Sequence, residues 1–512
     1  MQSVKGNGGS ASPWLEAGGT AARWCLGLVL AAGALIRALH ADQPIVENYV
    51  GRQIPTAMVA LNLERGSGFL RPQLDTAPFP NYFVVEPPIY QELVVGMRRL
   101  SGLPLGVCGR LISALAATLA AWGIFVLVER REGWRAAIAA SAAFSMFPIT
   151  LRYGRAFQPD ALMIGACAAG LACWDLAGRR SGGRGWLFAA WLLLAAGVAA
   201  KATAAFLLPV AFLTIAPKRN WKSALLLLST LAPVAAWYLW ADHLLAASTG
   251  SRAAADNRDI WMRLIGLGAL ASGETWARIV HFLGVRAFTP LGLLGAVWGL
   301  WPRRGDEGRR SLWWVWGGLG LAAMGLLGEK LRHEYYWLCV APVVAAGLGI
   351  AWVRIDARRP AIALGLSLAF AGLCLALSIS TWRTPREWKD LDEAGRTVAL
   401  SAPGDDWLVA PEPLLYRANR RGCRLEYTDK AATRAALEWR GEGGAVRTPL
   451  DLVEFYRTKG ARWLADVGAG PDDAPRLALH AGIRRRYKVV VDRPEVFLAK
   501  LITNNEPRGY DH

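Results

Sequence analysis

The chain has 512 residues, of which 54% are hydrophobic and 19% are charged, and its mean hydropathy is +0.25. The high hydrophobic fraction excludes a disordered or collagen-like chain. Soluble proteins carry about a quarter charged residues, so the lower charged fraction of this chain argues against an all-soluble enzyme. The net charge is +18. Lys and Arg fall in short clusters between apolar runs, a pattern typical of membrane orientation, so we expect no nucleic-acid partner.

The N-terminal segment 1–20 is rich in Gly, Ser and Ala and is predicted to be disordered. The apolar run that follows it has no clear small-residue cleavage site, which indicates a retained first span rather than a cleaved signal peptide. The seven cysteines include no C-x-x-C pair. The sequence therefore supports neither a disulfide framework nor a zinc ribbon.

Apolar stretches predict an α-helical polytopic membrane domain over residues 21–381. We assign about eleven spans, at roughly 22–40, 109–128, 134–150, 159–177, 185–200, 202–217, 222–243, 286–302, 311–328, 336–353 and 360–381. With the N-terminus in the cytoplasm, most basic residues of the connections lie on the cytoplasmic side, for example Arg130, Arg131 and Arg135. This bias follows the positive-inside rule and places the C-terminal region outside, which is the periplasm if the membrane is a bacterial inner membrane.

Two of the external segments are long. The first, 41–108, contains the stretches GRQIPTAMVALNLERG and IYQELVVGMRRL, whose apolar residues recur at helical spacing. Both stretches predict amphipathic helices lying at the membrane interface. Pro55 falls in the first turn of the earlier helix, where proline is tolerated. The second long external segment runs from about 244 to 286.

The composition becomes polar after the last span. Within residues 382–512, strands are predicted at 407–410, 462–467, 487–491 and 496–502, and a helix at 450–459. These elements predict a small α/β soluble domain on the external side. It contains neither a P-loop nor a G-x-G-x-x-G motif.

Most charged residues near the spans lie in the external loops and few lie at span centres. Ion-coupled transporters rely on carboxylates near the midplane and on broken helices, so this distribution argues against that class. Ionisable groups in the membrane interior are rare and usually functional, whereas the polar groups of this chain gather at one membrane face. The distribution favours a reaction centre at the external water–lipid boundary.

Several motifs of the sequence resemble those of a known family. RYGRAFQPDALM (152–163) is similar to the R-x-F-x-P-D segment of polyprenyl-phosphate-sugar-dependent membrane glycosyltransferases, the GT-C family that includes aminoarabinose transferases and protein O-mannosyltransferases. KATAAFLLP (201–209) resembles its lysine-plus-proline segment, and RHEYYWLCVAP (332–342) resembles its H-x-YY segment. The first external loop, with GRQIPTA and VVEPPIY, resembles that of one branch of the family.

The resemblance implies a GT-C fold and transfer of a monosaccharide from a polyprenyl-phosphate donor to a lipid, glycan or protein acceptor, with inversion. A lipid phosphate is already a good leaving group, so the reaction needs a base for the acceptor and cations for the phosphate. The resemblance implies carboxylate candidates for catalysis, namely Glu47, Asp160 and Glu86. For substrate binding it implies Arg52, Arg155, Lys201, Arg332, His333 and Tyr336.

The chain departs from the family pattern at Pro55, where one branch has an acid. Glu47 and Asp42 are the nearest substitutes, and we expect Glu47 to be the base because it directly precedes the amphipathic helix. Other interpretations stay open for the candidates. Asp160 can cap a helix, Tyr336 can belong to an interfacial aromatic belt, and the remaining charges can be solvated or paired locally.

A metal site is weakly indicated. The six His are scattered and form neither H-x-x-x-H nor H-E-x-x-H. Asp42, Glu47, Asp160 and His333 could surround a divalent ion, which is the one cofactor that the sequence leaves open. Two other functions also stay open, a non-catalytic scaffold on the same fold and a lipid-linked sugar flippase or transporter.

Overall fold

The structure, a computed structural model, describes residues 19–45, 50–178, 183–215, 220–247, 271–302, 308, 310–327, 333–402, 404–439 and 442–503. The predicted disordered segment 1–20 falls almost wholly outside these ranges.

Helices make up most of the chain as far as residue 382. In chain order they are α1 (Gly19–Ala38), α2 (Val50–Glu64), α3 (Ile89–Ser101), α4 (Leu105–Glu132), α5 (Trp134–Met146), α6 (Pro148–Tyr153), α7 (Asp160–Ala177), α8 (Gly183–Ala200), α9 (Leu207–Val210), α10 (Trp221–Ser229), α11 (Ala232–Ala247), α12 (Gly273–His281), α13 (Pro290–Leu300), α14 (Ser311–Leu326), α15 (Ala341–Asp356) and α16 (Pro360–Ser378). Tighter or wider helical turns adjoin them at Ala202–Phe206, Ala211–Ile215, Phe282–Ala287, Glu334–Val340 and Ile379–Trp382.

The protein is a polytopic membrane protein. Within the described ranges, 7 helices are long and apolar enough to cross a membrane, or up to 8 if the bent pair Gly273–Ala287 and Pro290–Leu300 is one span. Helices occupy all the predicted stretches, but Ala202–Ile215 and Ser311–Leu326 are shorter than a full span, and the stretch 134–150 is divided between α5 and α6. The predicted count of eleven is therefore not confirmed. Hydropathy locates apolar segments, whereas breaks such as the one before Pro290 depend on backbone geometry.

Glycine allows the central helices to approach closely. A Cβ atom added to Gly165 of α7 would lie 2.2 Å from the carbonyl oxygen of Ala116 in α4. One added to Gly123 of α4 would lie 2.6 Å from the carbonyl oxygen of Ala168 in α7. Such small-residue contacts allow the tight helix packing typical of membrane bundles. They fix the start of α7, where Asp160 lies.

The segment that carries α2 is more enclosed than its sequence predicts. Every residue of α2 from 53 to 60 is buried, the polar Gln53 and Thr56 as well as the apolar Ile54, Ala57 and Met58. Protein covers α2 on most sides, because α3 and the C-terminal domain pack against it. Pro55 lies inside the helix rather than in its first turn. The side chain of Thr56 donates a hydrogen bond to the carbonyl of Arg52 in this distorted region (2.7 Å).

The C-terminal region forms a mixed α/β layer. Its strands are β3 (Trp407–Ala410), β4 (Gly422–Arg424), β5 (Ala461–Asp466), β6 (Tyr487–Asp492) and β7 (Phe497–Thr503), following a two-stranded ribbon in the first loop, β1 (Gln73–Leu74) and β2 (Asn81–Tyr82). The sheet order is β4-β3-β5-β7-β6, with β3 parallel to β4 and β5, and β7 antiparallel to β5 and β6. The helices are α17 (Arg386–Ser401), α18 (Glu412–Ala418), α19 (Asp429–Leu437), α20 (Pro449–Thr458) and α21 (Ala474–Arg486).

The first loop extends this sheet. The amide of Ala77 donates to the carbonyl of Gly422 (2.7 Å), and the amide of Gly422 donates to the carbonyl of Asp75 (2.9 Å). The Asp75 carboxylate is buried and accepts from Asn62 (3.1 Å) and Arg65 (2.8 Å). The C-terminal layer is thus joined by backbone and side chain to the loop that carries α2.

Candidate functional site

Five segments that are distant in sequence meet near one end of the helical bundle. They are the start of α2, the loop before α3, the start of α7, the residue after α8, and the turn Glu334–Val340. Their polar side chains include two ion pairs and two tyrosines. This convergence brings together five of the residues predicted from the sequence, namely Arg52, Glu86, Asp160, Lys201 and Tyr336.

The first ion pair joins Arg52 of α2 to Glu86 of the loop before α3. The Arg52 side chain is 17% exposed and that of Glu86 is 6% exposed. The guanidinium also lies over the ring of Phe83, 5.6 Å from its centroid. Burial raises the pKa of the Glu86 carboxyl above its usual value, and the neighbouring Arg52 opposes that rise. A carboxylate of raised pKa in a cleft is a candidate for proton transfer.

The second ion pair joins Lys201, the residue after α8, to Asp160 at the first position of α7. Asp160 is completely buried, and its side chain makes no capping hydrogen bond to its helix. Pairing with Lys201, rather than helix capping, therefore accounts for its orientation. The second carboxylate oxygen, Oδ2, is enclosed and has no hydrogen-bond partner within the part of the chain that the structure describes.

Two tyrosine rings complete the surroundings of Lys201. The Nζ atom lies 4.3 Å from the ring centroid of Tyr335 and 4.3 Å from that of Tyr336. Both tyrosines are buried, so they do not form an aromatic belt facing the lipid. His333 stacks on Tyr335 with centroids 5.4 Å apart. Cation–π contacts of this kind attract an ammonium group to the ring faces.

The two ion pairs are electrostatic neighbours. Glu86 interacts with Lys201 and Asp160 as well as with Arg52, and Arg52 interacts with Asp160. The four groups carry two positive and two negative formal charges, which cancel. The arrangement can hold an anion on its cations and can accept a proton on a carboxylate.

A third carboxylate holds the tyrosine segment in place. Glu334 is buried and accepts hydrogen bonds from Arg152 (3.0 Å), Tyr153 (2.6 Å) and Arg286 (3.1 Å). Arg286 lies close to the bend at Thr289, whose φ of 65° is in the left-handed region that non-glycine residues rarely adopt. This network fastens the turn carrying Tyr335 and Tyr336 to α6 and to the bent pair.

The remaining predicted residues lie elsewhere or outside the described ranges. Arg155 is completely buried, and its five N–H groups have protein acceptors: the carbonyls of Arg37, Leu39, His40 and Thr381 and the side chain of Gln43. It joins the end of α1 to the residues after α16, and we do not retain it as a substrate contact. Glu47 and Arg332 fall outside the described residues.

No cluster of three or more His, Cys, Asp or Glu side chains that could hold a metal ion occurs among the residues that the structure describes. The carboxylates of the site are engaged by Arg52 and Lys201 instead.

Three further residues belong to the site. Glu334 and Tyr335 lie inside the recognised RHEYYW motif, and the sequence marked Glu334 as a charge beside the spans and Tyr335 as a belt residue that could contact substrate, but selected neither as a site residue. Arg286 belongs to no motif that we identified. Its position beyond the second long external segment, next to an apolar stretch, is the only signal that the sequence offers.

Comparisons with known proteins agree with this architecture. Residues 85–240 match the family model described as dolichyl-phosphate-mannose-protein mannosyltransferase. No curated protein sequence gives a significant match.

Among solved structures, ArnT from Cupriavidus metallidurans in the apo state is similar with a TM-score of 0.66 at 15% identity, covering 94% of this chain and 99% of that one. The same protein bound to undecaprenyl phosphate gives 0.64 at 15% identity, covering 95% and 99%. Arabinofuranosyltransferase AftD from Mycobacteria gives 0.59 at 16% identity, covering 94% of this chain and 40% of that one. The resemblance seen in the sequence is confirmed, and the chain has the GT-C fold of membrane glycosyltransferases.

Proposed function

We propose that this protein is an inverting membrane glycosyltransferase, which moves a monosaccharide from a polyprenyl-phosphate donor to a lipid, glycan or protein acceptor. The observation that carries the proposal is the meeting of Arg52, Glu86, Asp160 and Lys201 from four distant segments. The similarity to an ArnT structure bound to undecaprenyl phosphate supports the donor class. We place the reaction at the external face of a cell membrane, with the N-terminus cytoplasmic and residues 382–512 outside.

The two cations have the chemistry to hold the lipid phosphate. Arg52 has N–H groups beyond the one that it donates to Glu86, and guanidinium groups bind phosphate oxygens well. Lys201 contributes a point charge held by Asp160 and by the rings of Tyr335 and Tyr336. Together they would stabilise the charge that develops on the leaving phosphate as the bond to the anomeric carbon breaks.

The base expected from the sequence, Glu47, lies outside the described residues, and among the described carboxylates we assign the base to Glu86 rather than to Asp160. The base must contact the acceptor group whose proton it removes. Asp160 is completely buried, whereas Glu86 is 6% exposed and its partner Arg52 is 17% exposed. Asp160 then acts as a positioning residue for Lys201. Glu86 takes the acceptor proton while the acceptor oxygen or nitrogen bonds to the anomeric carbon, and the polyprenyl phosphate leaves with the bonding electrons.

The test uses purified protein in lipid with a panel of radiolabelled polyprenyl-phosphate sugars, followed by release of free polyprenyl phosphate. We expect Lys201→Met and Glu86→Gln each to lower the transfer rate by about 100-fold or more, since charge stabilisation and proton transfer typically contribute factors of this size. Lys222→Met, which changes a lysine lying over Trp221, is the control and should not alter the rate.

Failure of the proposal has two recognisable forms. Donor binding without release by the folded wild-type protein would favour a non-catalytic scaffold. Movement of the intact donor across the membrane without cleavage would favour a lipid-linked sugar flippase or transporter.

A further inference from the structure

The charge balance of the site is unusual for a place that binds phosphate. Arg52 is paired with Glu86 and Lys201 with Asp160, so neither cation faces the pocket without a counter-ion. Phosphate sites generally derive their affinity from cations and N–H groups directed at the anion. Here an incoming phosphate meets two carboxylates as well as two cations, and the carboxylates repel it.

The chemistry of the proposed reaction explains why cations paired with carboxylates would be useful in this site. The donor is a phosphodiester with one negative charge, whereas the released polyprenyl phosphate is a monoester whose charge is about −1.5 to −2 at neutral pH. Unpaired cations would therefore bind the product more tightly than the donor. A carboxylate that competes for a cation weakens both complexes and assists release of the product.

We propose that Glu86 competes with the lipid phosphate for Arg52, so that the ion pair opens when the phosphate enters and forms again as polyprenyl phosphate leaves. This inference rests on the proposed function and adds a second role for Glu86. While the phosphate occupies Arg52, the Glu86 carboxylate is free to face the acceptor. When the ion pair between Arg52 and Glu86 forms again, the product loses one of its two cationic contacts.

The geometry selects the Arg52–Glu86 pair over the other one. The Arg52 side chain is 17% exposed, so a ligand can reach it, and Glu86 beside it is 6% exposed. In the second pair Lys201 is 10% exposed and lies against two rings, whereas Asp160 is fully buried at the start of α7. Opening that second pair would leave the fully buried Asp160 charge without a partner, which costs more than opening a pair with a partly exposed arginine.

The experiment measures the affinity of detergent-solubilised protein for undecaprenyl phosphate by titration. We expect Glu86→Gln to bind this probe on the order of tenfold more tightly than the wild type, because the amide leaves Arg52 without a competing charge. Adding Arg52→Gln to that variant should abolish the gain. Glu64→Gln is the matched control, because Glu64 pairs with Arg98 elsewhere in the same external loop, and its affinity should equal that of the wild type.

Equal or weaker binding by folded Glu86→Gln would overturn the inference. Glu86→Asp provides a second variant, since the shorter side chain keeps the charge but draws back from Arg52, and it should bind with intermediate affinity. If the wild type binds undecaprenyl phosphate and releases sugar but neither variant binds more tightly, the inference fails and the proposed function stands. If the wild type neither binds the probe nor releases sugar, both fail.

Discussion

Two basic residues of the recognised motifs, Arg155 and Lys201, were predicted for the same task but have different surroundings. The N–H groups of Arg155 donate to carbonyls at the end of α1 and after α16, so the guanidinium serves as a structural tie. Lys201 contacts one carboxylate and two aromatic rings and lies beside the Arg52–Glu86 pair. A buried arginine saturated by carbonyls has no donor left for a ligand.

The raised pKa of Glu86 predicts how transfer depends on pH. Burial raises the pKa of this carboxyl while Arg52 opposes the rise. A base must be deprotonated, so the rate should fall as the pH drops through this raised value. We expect the acid limb of kcat/KM at a pH above the usual glutamate value of about 4.3. The measurement is a pH profile of sugar release over the range in which the wild type stays folded.

Variants separate Glu86 from other titrating groups in that profile. Glu64→Gln should keep the acid limb unchanged, and the residual activity of Glu86→Gln should lack it. An acid limb that persists in Glu86→Gln would show that another carboxylate is the base, and Asp160→Asn would then be examined in the same way.

The residue types and motif order pointed to Arg52, Glu86, Asp160, Lys201 and Tyr336, which the structure places close to one another. They were not sufficient to predict which charges pair. The role of Glu334 was not predicted for that reason, since its partners Arg152 and Arg286 are distant in sequence and no local pattern connects them.

At the scale of elements, the turn Glu334–Val340 determines where the tyrosines lie. It is bound to α6 through Arg152 and Tyr153 and to the bent pair through Arg286. The sequence predicted an apolar span over 336–353, and the structure has a helical segment from Glu334 to Asp356. What hydropathy could not show is that this segment begins with a buried carboxylate.

Glu334→Gln should destabilise the protein markedly. The Arg152 side chain is 4% exposed, so removing the Glu334 charge leaves a buried cation without its counter-ion. Breaking a buried ion pair in this way costs about 3–5 kcal/mol. We expect a clear drop in the midpoint of thermal unfolding of the detergent-solubilised protein, together with loss of transfer.

The control for that experiment is Glu274→Gln. Glu274 pairs with Arg278 one helical turn away, and its side chain is largely exposed. Exposed pairs of this kind contribute about 0.3–0.5 kcal/mol, so the unfolding midpoint should hardly move. Equal midpoints for the two variants would contradict the structural role given to Glu334.

The strands of the C-terminal layer show the same limit of prediction. The structure has strands at all four predicted places, which carry apolar runs of the usual length. The strand β4, Gly422–Arg424, was not predicted because three residues are too few to show alternation. It is nevertheless the edge that receives the first loop.

At the scale of the whole molecule, the C-terminal layer and the loop that carries α2 form a common structure. Met58 and Leu63 of α2 belong to the same buried cluster as Leu408 of β3 and Leu414 of α18. The sequence indicated two separate regions, since composition changes after the last span. The sequence did not indicate that the two regions are joined, because backbone pairing between Asp75 and Gly422 leaves no periodic signal in either segment.

Because the C-terminal layer is joined to the loop that carries α2, residues remote from the site can affect its activity. The variant Asp75→Ala tests this consequence. Asp75 is fully buried, and without it Asn62 and Arg65 lose an acceptor at the junction. Hydrogen bonds to a charged group contribute about 1.5–3 kcal/mol each. We expect faster hydrogen exchange at the amides of Ala77 and Gly422 and a lower kcat/KM, because α2 also carries Arg52.

Helices distant from the junction distinguish local loosening from general instability. Exchange in α4 and α7 should stay at the wild-type level in Asp75→Ala, since their packing depends on contacts such as the one between Gly165 and Ala116. Asp492→Asn, which removes an exposed ion pair with Arg484, is the control and should change neither exchange nor rate. If the amides at the junction keep their protection while transfer is lost, Asp75 acts by another route. If exchange rises and transfer is unchanged, the C-terminal layer does not position α2, and its role lies in binding an acceptor or a partner.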